Sequence, residues 1–187
     1  MPSTLITPPA SEPLTLYEIK AHLRLDSGDE DSLLTRLISS ARQYVENATR
    51  RALVTQAWRA FLDRWPTRRR VLLPVAPVQA VTEIRVFDNT GAASIVASSN
   101  YKLDASRTPA ALIVQPAMLA PTARANGIEI DMNCGYGAPS DVPLPLREAI
   151  LRLAAFWYEY RLDMQNGLGA AASVTDALIA PYRVIWP

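Results

Sequence analysis

The spacing of apolar residues changes twice along this chain, and those two changes constrain its fold class more than anything else in the sequence. In the first sixty residues Leu16, Ile19 and Leu23, then Leu33, Leu34, Leu37, Ile38, Ala41, Tyr44, Val45 and Ala48, recur at the spacing of one helix face. Asp26, Ser27 and Gly28 interrupt the run with an acidic turn. From Leu53 the texture becomes β-branched and aromatic. Val54, Gln56, Trp58, Ala60 and Leu62 then alternate with Thr55, Ala57, Arg59, Phe61 and Asp63, and the Trp58 side is the more apolar. After Pro143 and Pro145 helical spacing returns in Leu146, Ile150, Leu153, Ala154, Trp157 and Tyr158. A chain helical at both ends and β between them is expected to be α+β. Its helical core would come from the N- and C-terminal segments and carry an inserted antiparallel β subdomain, sandwich or barrel-like.

Local signals refine this outline. Thr15 with Glu18 three residues on is a capping box that opens a helix over about 15–24, and Asp29 is a plausible N-cap for a second over about 29–49. Strands are expected at 54–63, 71–73, 78–87, 93–96, 101–103, 111–114 and 128–132, punctuated by Asp88-Asn89-Thr90-Gly91 and Ala125-Asn126-Gly127. Leu37 and Trp157 should share one helical core. Asn166, Gly167 and Gly169 read as a loop, and 174–180 as a short helix stopped by Pro181. Residues 1–14 hold prolines at 2, 8, 9 and 13 and read as an extended arm. The expected division is therefore an arm over 1–14, a helical core over 15–52 and 140–180, a β subdomain over 53–139 and a tail over 181–187.

At 187 residues the chain can bury about 70% of its unfolded surface, so it needs no disulfide or metal to fold. Cys134 stands alone, which rules out an intrachain disulfide and leaves no Cys/His metal pattern. No cofactor is expected. The net charge of +1 gives no global attraction to nucleic acid or an anionic membrane. No apolar run reaches the roughly 18 residues of a membrane span, and the proline-rich start lacks the form of a signal peptide.

Few residues suggest chemistry. His22 is the sole histidine and lies on the first helix, with no nucleophile elbow elsewhere to make it a catalytic base. Asp26, Asp29, Glu30 and Asp31 lack the order of a calcium loop and read as a solvated turn and helix start. Cys134-Gly135-Tyr136-Gly137 matches no phosphate-binding fingerprint and reads as a tight strand exit. Arg64, Arg68, Arg69 and Arg70 form the one dense basic patch, expected at a hairpin tip, where they could meet DNA phosphates or acidic neighbours, or simply be solvated. Tyr182, Arg183, Val184, Ile185 and Trp186 follow the last helix in a tail too short for its own core, and such apolar tails usually have a partner.

Taken in order, EIKAHLRLDSGDEDSLL and RALVTQAW near the start, LPVAPVQAVTEIRVFD next, CGYGAPSDVPLPLREAILRLAAFWYE later and IAPYRV at the end resemble the head-tail connector (adaptor) family of tailed bacteriophages and gene transfer agents. The resemblance spans nearly the whole chain. It implies a structural role without turnover: a homo-oligomeric ring, dodecameric to match a portal, between the portal protein and a stopper or tail-completion protein. Such a ring extends the DNA channel in the particle neck and is assembled in the bacterial cytoplasm. Under that reading residues 182–186 dock on the portal, and Arg64, Arg68, Arg69 and Arg70 touch the channel, passing DNA or a neighbour. The alternative from another class is a stand-alone ligand-binding module or small enzyme using the β subdomain, for which no acid pair, metal cluster or phosphate loop speaks.

Overall fold

The computed structural model describes residues 1–116, 118–160 and 175–185. They divide into two compact units. One comprises Met1–Pro9 and Thr55–Tyr136 with the chain end from Val184; the other comprises Ala10–Val54 and Gly137–Arg183.

The first unit holds eight strands: β1 (Ser3–Thr7), β2 (Gln56–Leu62), β3 (Arg70–Leu72), β4 (Val78–Phe87), β5 (Ala93–Ile95), β6 (Tyr101–Asp104), β7 (Ala111–Val114) and β8 (Ile128–Cys134). They form two open antiparallel sheets, one in the order β1-β2-β8-β4-β5 and one in the order β3-β7-β6. β8 is central because its alternation is strict. Ile128, Ile130, Met132 and Cys134 are fully buried, while Glu129, Asp131 and Asn133 turn to the other face. Burying each isoleucine contributes about 1.5–3 kcal/mol. The flanking strands match the pattern, with Trp58 opposite Met132, Ala60 opposite Ile130 and Ile84 opposite Ile130. An irregularity between Val81 and Glu83 shifts the parity of β4, so that Glu83 falls opposite Asp131 and Ile84 still falls on the buried side.

Two findings differ from the sequence reading. Residues 3–7, expected within a free arm, pair with β2 in the register Ser3–Ala60, Thr4–Arg59 and Leu5–Trp58. Pro2, Pro8 and Pro9 bracket the Ser-Thr-Leu-Ile-Thr strand instead of preventing it, and the Pro2 carbonyl accepts from the Phe61 amide at 3.1 Å. The Arg64–Arg70 segment is no hairpin tip. It carries the chain from β2 in the larger sheet to β3 in the smaller one, and the partners of β3 and β2 are other strands. The turn chemistry of the β4–β5 hairpin is as expected: Asp88 Oδ1 accepts from the amides of Thr90 and Ala92 at 2.8 and 2.9 Å, and Gly91 takes φ 87°.

The second unit holds α1 (Leu16–Leu23), α2 (Asp31–Thr49) and α3 (Leu144–Glu159), followed after the undescribed stretch by helical residues 175–179 and a 3-10 turn over Ala180–Tyr182. The loop expected around Asn166, Gly167 and Gly169 lies outside the described residues, as does Trp186. The capping box is formed: Thr15 Oγ1 accepts from the Glu18 amide at 3.2 Å and the Thr15 amide donates to Glu18 Oε2 at 2.7 Å. α2 begins two residues later than the expected Asp29. The Asp29 carboxylate accepts from Ser27 Oγ at 3.0 Å, and Glu30 is the N-cap, its side chain making no bond to the first amides of the helix.

Ile19, Leu34, Ile38, Ala41, Val45, Leu146, Ile150 and Leu153 are buried along the three helices, and α3 packs on both α1 and α2. Leu37 and Trp157, expected to share that core, are half-buried, and Trp157 meets Tyr44 edge-on at 6.2 Å. Arg42 is buried on α2 between Glu12 (2.7 Å) and Glu46 (2.6 Å); Glu46 also accepts from the Leu53 amide at 2.9 Å, fixing the exit of the helix. Arg147 on α3 donates to the Pro13 carbonyl at 3.0 Å and pairs with Glu18, tying α1 to α3. Burial raises the Glu18 pKa, but the hydrogen bonds from Thr15 and the charge of Arg147 outweigh it and hold the carboxyl below its usual range. Gly137 is required where it stands: its φ is 136°, and the Asp141 carboxylate fills the place a Cβ would take.

Candidate functional site

The exposed side of the central strand carries a ladder of charge built by register. Arg59 lies opposite Asp131 on one side and Glu83 opposite Asp131 on the other, while Arg85 lies opposite Glu129. Arg59 grips Asp131 with two bonds, Nε to Oδ1 at 2.6 Å and Nη2 to Oδ2 at 2.9 Å. Arg85 reaches Asp131 too, and pairs with Glu83 at 2.9 Å and Glu129 at 3.2 Å. Burial pushes the Asp131 pKa up, but the bonds and charges of Arg59 and Arg85 more than reverse that, and the net direction is down. The hydrogen bond to Asp131 raises Arg59 correspondingly. Ion pairs link these five side chains across β2, β8 and β4, although the buried Arg85 Nε makes no hydrogen bond.

The start of the tail is anchored. Arg51 Nε donates to the Tyr182 carbonyl at 2.6 Å, and Arg183 pairs with Asp176 at 2.8 Å in an exposed bridge. Tyr182 and Val184 are half-buried, whereas Ile185 is 83% exposed. Among the described tail residues, Ile185 therefore presents the largest uncovered apolar surface.

The arginines of the β2–β3 crossover, Arg64, Arg68, Arg69 and Arg70, are all exposed. Arg69 adopts φ 54° and donates its amide to the Pro66 carbonyl at 2.8 Å, and Trp65 Nε1 donates to the Leu119 carbonyl at 2.8 Å, so the segment is shaped by its backbone and not by its guanidinium groups. The structure adds two cations that the sequence patch lacked. Lys102 lies across Ile113 from Arg70 in the register of β6, β7 and β3, and Arg107 shares a hollow with Arg68, Arg70, Leu72 and Ile113. More than thirty residues separate them from the patch, and only strand pairing brings them to it.

Reactive chemistry has little to build on. Cys134 is buried and its thiol is pushed up to about 12 by desolvation, which keeps it protonated. His22 is exposed in the last turn of α1. Among the described residues no group of His, Cys, Asp and Glu is arranged to hold a metal, and no helix is long and apolar enough to cross a membrane.

Residues 13–113 match the Phage gp6-like head-tail connector protein family. The chain belongs to this family, and its function is structural, as a head-tail connector. No curated protein matches it. Among solved structures it is similar over 100% of its length to a chain, 97% covered, in the neck of an empty gene transfer agent particle computed with C6 symmetry, at 30% identity and a TM-score of 0.82. A chain of the virion of a native gene transfer agent particle aligns over the same shares at 30% identity and TM-score 0.83. One from the neck of a native particle computed with C12 symmetry does so at 28% and 0.79.

Proposed function

We propose that this connector works as a ring in the neck of a tailed phage or gene transfer agent particle, seated on the portal and extending the DNA channel toward the next neck or tail component. The observation that carries the reading is similarity along the whole chain, at 28–30% identity, to neck and virion chains of gene transfer agent particles, one of them computed with twelvefold symmetry. A head-to-tail contact repeated around an axis closes into such a ring. The work is binding and not turnover, in keeping with a protonated, buried Cys134.

The portal-docking element in this reading is the tail from Tyr182 to Trp186. Tyr182 and Arg183 are fastened by Arg51 and Asp176, and Ile185 beyond them is exposed. Deleting residues 184–187 spares both fastenings. The truncated protein should melt as wild type and fail to co-purify with the portal protein, whereas the full chain should give a portal complex whose mass, by light scattering, fits a closed ring. Undiminished capture of the truncated chain removes the tail from the docking surface. A full chain that stays single in the presence of portal removes the ring.

A further inference from the structure

The outer face of the β3-β7-β6 sheet is basic around an apolar centre. Register sets Arg70, Ile113 and Lys102 in one row, and Leu72, Ala111 and Asp104 in the next. Arg68 and Arg107 complete the rim of the hollow over Leu72 and Ile113. Four cations (Arg68, Arg70, Lys102, Arg107) less one carboxylate (Asp104) leave +3 here on a chain whose total is +1, so the remainder of the molecule is −2. None of the four cations forms a salt bridge within 4 Å among the described residues, and Asp104 is held below its usual range in part by the charges of Arg107 and Arg70. Ile113 is 38% exposed at the centre. A phosphate backbone would meet the rim and leave that floor wet. A protein segment with an apolar side chain beside carboxylates would cover both.

The same chain carries such a segment in the turn between α1 and α2: Leu25, Asp26, Ser27, Gly28, Asp29, Glu30 and Asp31. Glu30 is engaged by Tyr158, and Asp31 by Lys20 at 2.8 Å. Asp26 and Asp29 are exposed, and among the described residues neither has a cationic partner; Arg24, also exposed, is the nearest base in sequence. A ring of identical subunits must use two different surfaces on each copy, one to give and one to receive. We infer that the basic face of the small sheet receives the α1–α2 turn of a second copy, with Leu25 over Ile113 and the carboxylates of Asp26 and Asp29 among Arg68, Arg70, Lys102 and Arg107. This rests on the ring proposed above and names the contact that closes it.

Charge reversal tests the contact with the full-length chain and the portal protein. Arg68→Glu, Arg70→Glu and Arg107→Glu together should abolish the ring, and so should Asp26→Arg with Asp29→Arg. Combining the two sets restores complementary charge and should restore the ring, and the wild-type ring should weaken as salt screens it. Melting curves accompany each variant, and if the triple reversal melts early, Arg68→Gln, Arg70→Gln and Arg107→Gln replace it with the same expected loss. A combined variant no better than the two separate sets, all melting as wild type, overturns the contact while leaving the wild-type ring in place. An arginine variant that assembles fully but no longer retains a duplex DNA fragment overturns it in favour of a DNA surface. A wild-type chain that forms no ring overturns both the contact and the ring.

Discussion

Replacing Asp131 with Asn removes one charge and almost no volume, so it isolates what the ladder on β8 contributes. Asp131 receives two bonds from Arg59 and one contact from Arg85, with its side chain 22% exposed. A hydrogen bond to a charged group is worth about 1.5–3 kcal/mol net, and partial exposure together with the acceptor that Asn retains brings the expected loss to about 2 kcal/mol. Arg59 and Arg85 keep Glu129, which is why the cost falls below that of leaving a buried charge alone. For a chain of this size that is a fall of about 4–8 °C in the melting transition. Calorimetry is the suitable assay, since two units need not melt together. The pH dependence has a fixed sign. The folded pKa of Asp131 is depressed, so its contribution is complete above the unfolded value near about 3.9 and is lost as pH falls through the folded value. Wild type and variant should differ at pH 7 and converge in acid. A variant melting within about a degree of wild type at pH 7, or a gap that persists unchanged at the lowest pH, refutes the claim that this carboxylate clamps three strands.

Leu34→Ala, at a fully buried position on α2, should cost about 3–4 kcal/mol, and Leu37→Ala, half-buried one turn on, about half as much; equal losses in denaturant titrations would show the α2 face is misplaced. Thr15→Ala removes the cap of α1 and should cost about 1 kcal/mol, read by the same titration. Gly137→Ala combines left-handed strain with a clash at Asp141, and should destabilise more than an Ala at Gly91, which has open space around it. A larger loss at Gly91 would contradict that ordering.

Elements whose signals are local were legible from the sequence: the capping box of Thr15 and Glu18, the α3 run behind its prolines, the Asp88–Gly91 turn and the alternation of β8 all depend on residues a few positions apart. The start of α2 falls after the expected Asp29, whose carboxylate accepts from Ser27 Oγ, and no side chain caps the helix there, so residue type alone did not mark its first turn. β1 was missed for a different reason. Its prolines argue against structure one residue at a time, yet its place is set by an edge of β2 more than fifty positions away, and the five residues between the prolines are good strand formers.

The candidate surfaces divide along the same line. Arg64, Arg68, Arg69 and Arg70 are adjacent in sequence and therefore conspicuous, but adjacency does not make them one surface, because alternate residues of β3 point to opposite faces of the small sheet. Arg70 and Leu72 lie on one side and Val71 is buried on the other, so the basic face takes Arg70, with Arg68 at its rim, from the patch and recruits Lys102 across Ile113 and Arg107 at its rim. Neither residue carries any mark in the sequence that separates it from an ordinary solvated cation. What singles them out is the register of three short strands, two of which lie thirty or more residues from the third. Charge on such a chain must be read face by face: a near-neutral total of +1 conceals a local +3 at this face, and in the contact inferred above it is that local imbalance a neighbouring subunit would meet.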